Sequence, residues 1–278
     1  MGHLYIFHHV FKTGGTSFNL SYVPAAFLPD EAFVLRGSQE PNREDLQRAL
    51  ACSNEERKRL KLIAGHNTGQ LRHSYPDARF ISLVRDPIAR SISAYLHCKH
   101  HPESWEITGR RIQEEKMSLA RFVEANWFDK AHNYQSRLLL GPEFAWNESI
   151  NDADITSAIR SRFHLVGYTE ALELFLFYLH LTEGFPLVLY NKRLVRKEAS
   201  SFRPCAEDMK VMEQYNRFDR QFYRCARNEF NLKLAQVWTK ETEELYGQYS
   251  AALEVYRRTT QGDPSATPLR WYSPTPLR

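Results

Sequence analysis

The run Leu4 to Val10 is mostly apolar and β-prone, and Lys12-Thr13-Gly14-Gly15-Thr16-Ser17 stops it. This predicts a strand, a glycine turn and a helix start. Phe18, Leu20 and Tyr22 carry that short helix to about Pro24. Pro41 to Leu60 is charged, with Leu46, Leu50 and Leu60 at helical spacing, and reads as a surface helical region. Two short apolar runs follow. Leu62-Ile63-Ala64 ends at Gly65-His66, and Phe80 to Val84 ends at Arg85-Asp86-Pro87. Asp86 suits a helix N-cap and Pro87 the first turn, with Ile88, Ile92, Tyr95 and Leu96 on the apolar face.

His97 to Lys116 is polar, contains Pro102 and Gly109, and reads as a loop. Helical spacing returns at Leu119 to Phe128 and at Tyr134 to Leu140. A strand is expected at His164 to Val166, then a helix capped by Thr169, then a strand at Pro186 to Leu189. Lys192 to Arg203 is a basic connector, and Ala206 to Arg258 is mostly helical. The tail is Pro- and Thr-rich and carries TPLR twice, which is too little for a structural repeat. Strands alternating with helices predict one α/β, P-loop-like domain over residues 1–260. It has a mostly parallel central sheet, flanking helices and a helical C-terminal part, with 261–278 as a tail.

The 278 residues are 42% hydrophobic and 25% charged, which excludes disorder, collagen and coiled coil as descriptions of the whole. No apolar run reaches the ~18 residues of a membrane helix. The best candidate, Leu172 to Leu181, contains Glu173 and His180. No secretion signal is visible, so the tripeptides at Asn19 and Asn147 are discounted as glycosylation acceptors. The four scattered cysteines fit a reducing compartment, and a cytoplasmic location is expected. A net charge of +4 is too mild to imply nucleic acid but permits an anionic ligand.

The segment Lys12 to Ser17 carries the most chemistry. Paired glycines let backbone amides approach a ligand, and the helix that follows aims its open N–H groups at the same place. Thr16 and Ser17 add hydroxyls, and Lys12 adds a mobile charge. An ordinary glycine turn is the plainer alternative. The loop is not a Walker A motif, because the lysine precedes the glycines. Arg85 stands at the end of another strand, where open α/β sheets bind ligands. Its guanidinium suits a second anionic group, with Ser93 further along the helix; the alternative is a surface arginine paired with Asp86.

Together the two anchors resemble the PAPS-dependent sulfotransferases, in particular the branch of heparan sulfate 2-O- and 6-O-sulfotransferases and their bacterial relatives. His9 to Ser17 is similar to that branch's H-x-P-K-T-G-G-T-S loop, which holds the 5′-phosphosulfate. Phe80 to Tyr95 resembles its 3′-phosphate segment, which implies that Arg85 and Ser93 hold that phosphate. Asn133 to Leu138 resembles N-x-Q-T-R-x-L, Leu165 to Glu170 resembles V-G-L-T-E, and Asn216 to Tyr223 resembles N-x-x-D-x-x-L-Y. Phe11 departs from the family's proline, and the membrane anchor of the Golgi members is missing. That favours a soluble bacterial-type enzyme or a trimmed lumenal domain.

The resemblance implies transfer of a sulfuryl group from PAPS to a hydroxyl, giving adenosine 3′,5′-bisphosphate. The acceptor is expected to be a carbohydrate or glycoconjugate. Lys12 would meet charge on the leaving oxygen, and no metal is required. The base is expected to be His66, which follows a strand end as Lys12 and Arg85 do; His9 is a weaker alternative. His97, Cys98, His100 and His101 match no zinc spacing. Trp105, Trp127 and Trp146 could stack on sugars or pack in the core. Arg110 and Arg111 could face an acidic acceptor, and Lys192, Arg193, Arg196 and Lys197 could approach the nucleotide. Acceptor selectivity is expected in the loops His97 to Lys116 and Phe144 to Asp152. A kinase-like enzyme needing Mg-ATP and a non-catalytic nucleotide-binding module are the competing readings.

Overall fold

The computed structural model describes residues 3–37, 40–101, 106–125, 131–193, 202–263 and 265–273. Five parallel strands form the central sheet: β1 (Tyr5–His8), β2 (Ala32–Val34), β3 (Leu62–Gly65), β4 (Arg79–Val84) and β5 (Leu165–Tyr168). Their order is β2-β3-β1-β4-β5, so the first strand is central. Ile6 aligns with Ile63 on one side and Phe80 on the other.

Alternation along these strands divides the core into two layers. Ile6, Ile63, Phe80, Val84 and Val166 pack on one face. Tyr5, Phe7, Leu62, Ala64, Ile81, Leu83 and Leu165 pack on the other. Burial on both faces explains why the strands read as near-continuous apolar runs. Because all five strands are parallel, their carboxyl ends share one edge, where Lys12, His66, Arg85 and Thr169 follow.

The helical layers depart from the sequence reading in several places. The charged stretch after Pro41 is two helices, Glu40–Leu50 and Asn54–Arg59. Ser53 and Glu56 form a capping box that restarts the second. The expected loop at His97 to Lys116 is largely helical. One helix runs Pro87–His100, and another, Glu106–Glu114, contains Gly109. Buried Ile112 anchors the second helix, and Gln113 Nε2 donates to the Lys99 carbonyl at 3.0 Å. Pro102 lies outside the described residues.

A further helix, Asp152–Arg162, was hidden by its polarity; only Ile155, Ala158 and Ile159 are buried. Pro142–Trp146 likewise turns helical inside what reads as loop. The strand expected near Pro186 exists as β6 (Leu187–Leu189), but it lies outside the main sheet. It pairs antiparallel with β7 (Leu269–Trp271), which comes from the Pro- and Thr-rich tail. The helices Ala206–Tyr215, Arg217–Val237 and Lys240–Thr259 make up the C-terminal helical part. No helix among the described residues is long and apolar enough to cross a membrane.

Candidate active site

The loop after β1 is compact and strained where it turns. Lys12 has φ 67° and Gly14 φ 82°, both left-handed. Such a conformation is costly for a lysine and is held only by its surroundings. The Thr13 hydroxyl donates to the Val10 carbonyl at 2.9 Å. The helix then starts at Gly15–Ser17, so the amides of Gly15 and Thr16 lead a helix and have no intrahelical acceptor. After Ser17 the chain passes through a π-helical stretch, Phe18–Tyr22, before Val23–Ala26. This widened turn buries Asn19 and Ser21. The Ser17 hydroxyl accepts from the Arg193 amide at 2.8 Å, and Arg193 Nε donates to the Ser21 hydroxyl at 3.0 Å.

Gly15 has no room for a side chain. A Cβ there would lie 1.9 Å from Cδ2 of the His9 ring. His9 is thus the floor of the loop. Its ring partner is His66, stacked at 4.0 Å between ring centroids and 20° between planes. His66 Nδ1 donates to the His9 carbonyl oxygen at 2.8 Å. A carbonyl can only accept, so Nδ1 carries the proton, and the lone pair of the neutral ring lies on Nε2. Burial holds His9 well below the ordinary histidine range, with His66, His8 and Lys12 adding to the effect. The floor is therefore neutral at physiological pH. Burial pushes neighbouring His8 down to about 3.

On the other side of β1, Arg85 Nη1 donates to the Lys12 carbonyl at 3.3 Å. Burial pulls the Arg85 guanidinium down, while Glu170 and Asp86 oppose that shift. Arginine remains cationic under such perturbation. Asp86 caps the Pro87–His100 helix by accepting from the Ala89 amide at 2.8 Å, as its sequence position implied. Ser93 is half-buried on that helix. No hydrogen bond among the described residues joins Ser93 to Arg85.

Thr169 corrects the sequence reading. It begins a short 3-10 turn, Thr169–Ala171, ahead of the Leu172–Glu183 helix, and its side chain caps neither. Its hydroxyl instead faces two carbonyls, Thr13 at 2.7 Å and Val84 at 3.0 Å. The loop after β1 and the end of β4 are thereby tied to β5. No local pattern signals this role, because 156 residues separate Thr169 from Thr13. Phe11, in the place of the expected proline, is buried and packs against the His97 ring at 5.6 Å. Trp146 is exposed, while Trp105, Trp127, Arg196 and Lys197 lie outside the described residues.

The chain is an α/β protein with a glycine loop, a helix start, a lysine and an arginine on one edge of its parallel sheet, an arrangement whose chemistry suits a polyanion. The sulfotransferase family's sequence profile matches residues 3–224, and the chain belongs to that family. No curated protein matches the chain.

Proposed function

We propose that this chain transfers a sulfuryl group from PAPS to a hydroxyl of a carbohydrate-type acceptor. The observation that carries the reading is the convergence at His9. The Gly15 backbone of the loop lies against its ring, and the His66 ring stacks on it with its lone pair on Nε2. A donor held by the loop therefore meets a base already in the right tautomer.

Lys12, Thr13, Gly14, Gly15, Thr16 and Ser17 would cradle the 5′-phosphosulfate. Arg85 and Ser93 would take the 3′-phosphate. The donor supplies an electrophilic sulfur and a phosphate leaving oxygen. His66 Nε2 accepts the acceptor hydroxyl's proton as the new oxygen–sulfur bond forms. Lys12 and the helix amides meet the charge that grows on the leaving oxygen as its bond to sulfur breaks. No step passes through a metal ion. The carbohydrate class rests on the similarity of the loop and the Arg85 segment to the heparan sulfate branch.

The test is incubation of the full chain with sulfur-labelled PAPS and excess EDTA against sugars, glycolipids and phenols. Label is expected in a sugar-containing acceptor, with chelator present throughout. A strict divalent-metal requirement, or ATP as the preferred donor, would overturn the reading. Transfer to phenols alone would replace the acceptor class.

A further inference from the structure

The segments Asn133 to Leu138 and Asn216 to Tyr223 stand out in the sequence, yet none of their residues enters the chemistry above. They meet in space as a reciprocal cap. Asn133 Oδ1 accepts from the Phe218 and Asp219 amides at 3.0 and 3.2 Å, at the start of the Arg217–Val237 helix. Asp219 returns the arrangement at the start of the Tyr134–Leu140 helix. Its carboxylate accepts from the Gln135 amide at 3.0 Å, and from the Ser136 amide and hydroxyl at 2.7 and 2.8 Å. Asp219 is fully buried, and the fully buried Arg90 guanidinium is close enough to feel its charge.

This interlock fixes Gln135, whose side chain is spent on one target. Gln135 Oε1 accepts from the Arg85 amide at 2.8 Å, and Gln135 Nε2 donates to the Arg85 carbonyl at 2.9 Å. Thr169 holds the carbonyl just before, on Val84, and Glu170 accepts from the Asp86 amide at 3.1 Å. Val84 still pairs with Tyr168 of β5, and side chains add a hold on it and on the two residues that follow. Among the described residues, Gln135 is the side chain that grips the Arg85 backbone, and it does so through both of its polar groups.

We infer that Gln135 is the positioning residue for Arg85: its two-point grip on the Arg85 backbone aims the guanidinium at the anion site. The inference rests on Arg85 being the 3′-phosphate anchor. A group that holds a non-reacting phosphate binds ground state and transition state alike. Loss of Gln135 should thus weaken the donor complex and leave the chemical step nearly intact.

The experiment is calorimetric affinity of the full chain for adenosine 3′,5′-bisphosphate and for AMP. It compares wild type, Arg85→Ala, Gln135→Leu, Gln135→Glu and the Arg85→Ala/Gln135→Leu double variant. Wild type should prefer the bisphosphate. Gln135→Leu should erode that preference by about tenfold, and should erode it no further once Arg85 is gone. Gln135→Glu keeps the size and the acceptor but sets an oxygen against the Arg85 carbonyl, so it should shift the preference the same way. It also serves if the leucine variant does not fold. An unchanged preference in the folded Gln135 variants, or a full additional loss on the Arg85→Ala background, overturns the inference. A wild-type protein that does not distinguish the two nucleotides removes the 3′-phosphate reading itself, and the inference with it.

Discussion

At the scale of single residues, the His66 ring stacks on His9, and the Lys12 charge acts on the same ring. In the proposed reaction His66 takes the acceptor proton, and general-base help is worth roughly 10²–10⁴ in rate. His66→Ala should lower kcat by about that factor and leave calorimetric affinity for adenosine 3′,5′-bisphosphate near wild type. Lys12→Ala should slow transfer and also weaken the bisphosphate modestly, because the lysine faces the leaving oxygen. Near-wild-type turnover in His66→Ala would return attention to His9. The histidines also set a pH dependence of stability. His8 is depressed to about 3 from its ordinary 6.5, and His9 is depressed as well. Below pH 6.5 the unfolded chain binds protons that the folded chain refuses, so stability falls as pH falls. It is fully present above that value and declines toward pH 3 by about 1.4 kcal/mol per pH unit for His8, with His9 adding in the same direction. Urea unfolding at pH 7.5, 6 and 5 should show this slope, and His8→Leu should flatten it. A slope identical in the variant would mean that His8 does not stay neutral on folding.

At the scale of elements, the loop and its floor behave as one part. Gly15→Ala drives a methyl into the His9 ring, which is itself buried against Phe7 and His66. The cost should be about 3 kcal/mol, the upper end for overpacking. Combining it with His9→Ala should recover part of that stability in denaturant titrations. Simple addition of the two losses would show that the ring is not the obstacle. This part was half visible in the sequence. Apolar runs punctuated by Lys12-Thr13-Gly14-Gly15 and by Arg85-Asp86-Pro87 are local signals, so β1, β4, the loop and the Asp86 cap were legible. The Asp152–Arg162 and Glu106–Glu114 helices were not, because a few apolar residues on a charged helix give too weak a periodicity. The supports of the site were also hidden. Thr169, Gln135 and Asp219 act on residues 156, 50 and 84 positions away, and such contacts leave no mark on the local pattern.

At the scale of the molecule, the two edges of the sheet carry different duties. The carboxyl edge holds the anchors. The amino edge holds a cluster in which Glu183 accepts from Tyr5, from Arg79 at 2.6 Å and from His164 at 2.7 Å. β7 reinforces that side. Arg270 on β7 donates to the Ala25 and Ala26 carbonyls at 2.9 Å each, and Trp271 packs on Tyr249 at 5.6 Å. Tyr256 reaches back to the Thr267 carbonyl at 2.9 Å. Deleting residues 265–278 should therefore lower Tm by roughly 5 °C or more, given about 2–4 °C per kcal/mol for a chain near this size. Affinity for the bisphosphate should stay within about twofold. A calorimetric scan beside a binding titration separates the two outcomes. Unaltered Tm would mean that β7 merely rests on β6.

The strand order also gives the site a direction. Reading across the sheet, His66 follows β3, Lys12 follows the central β1 and Arg85 follows β4. Neighbouring strands are spaced by about 4.8 Å, so base and arginine are roughly 10 Å apart with the lysine between them. That arrangement works as a compass needle for any donor laid along the edge. On the proposed reading its sulfur end points toward β3 and its nucleotide end toward β4. On the same reading the incoming hydroxyl comes from the β2 flank. There Asn42 Nδ2 donates to the His66 carbonyl at 3.3 Å, and Asn67 Nδ2 donates to Asn42 Oδ1 at 2.9 Å. Lineages that trade one acceptor for another can thus rewrite this flank while the nucleotide half of the edge stays untouched.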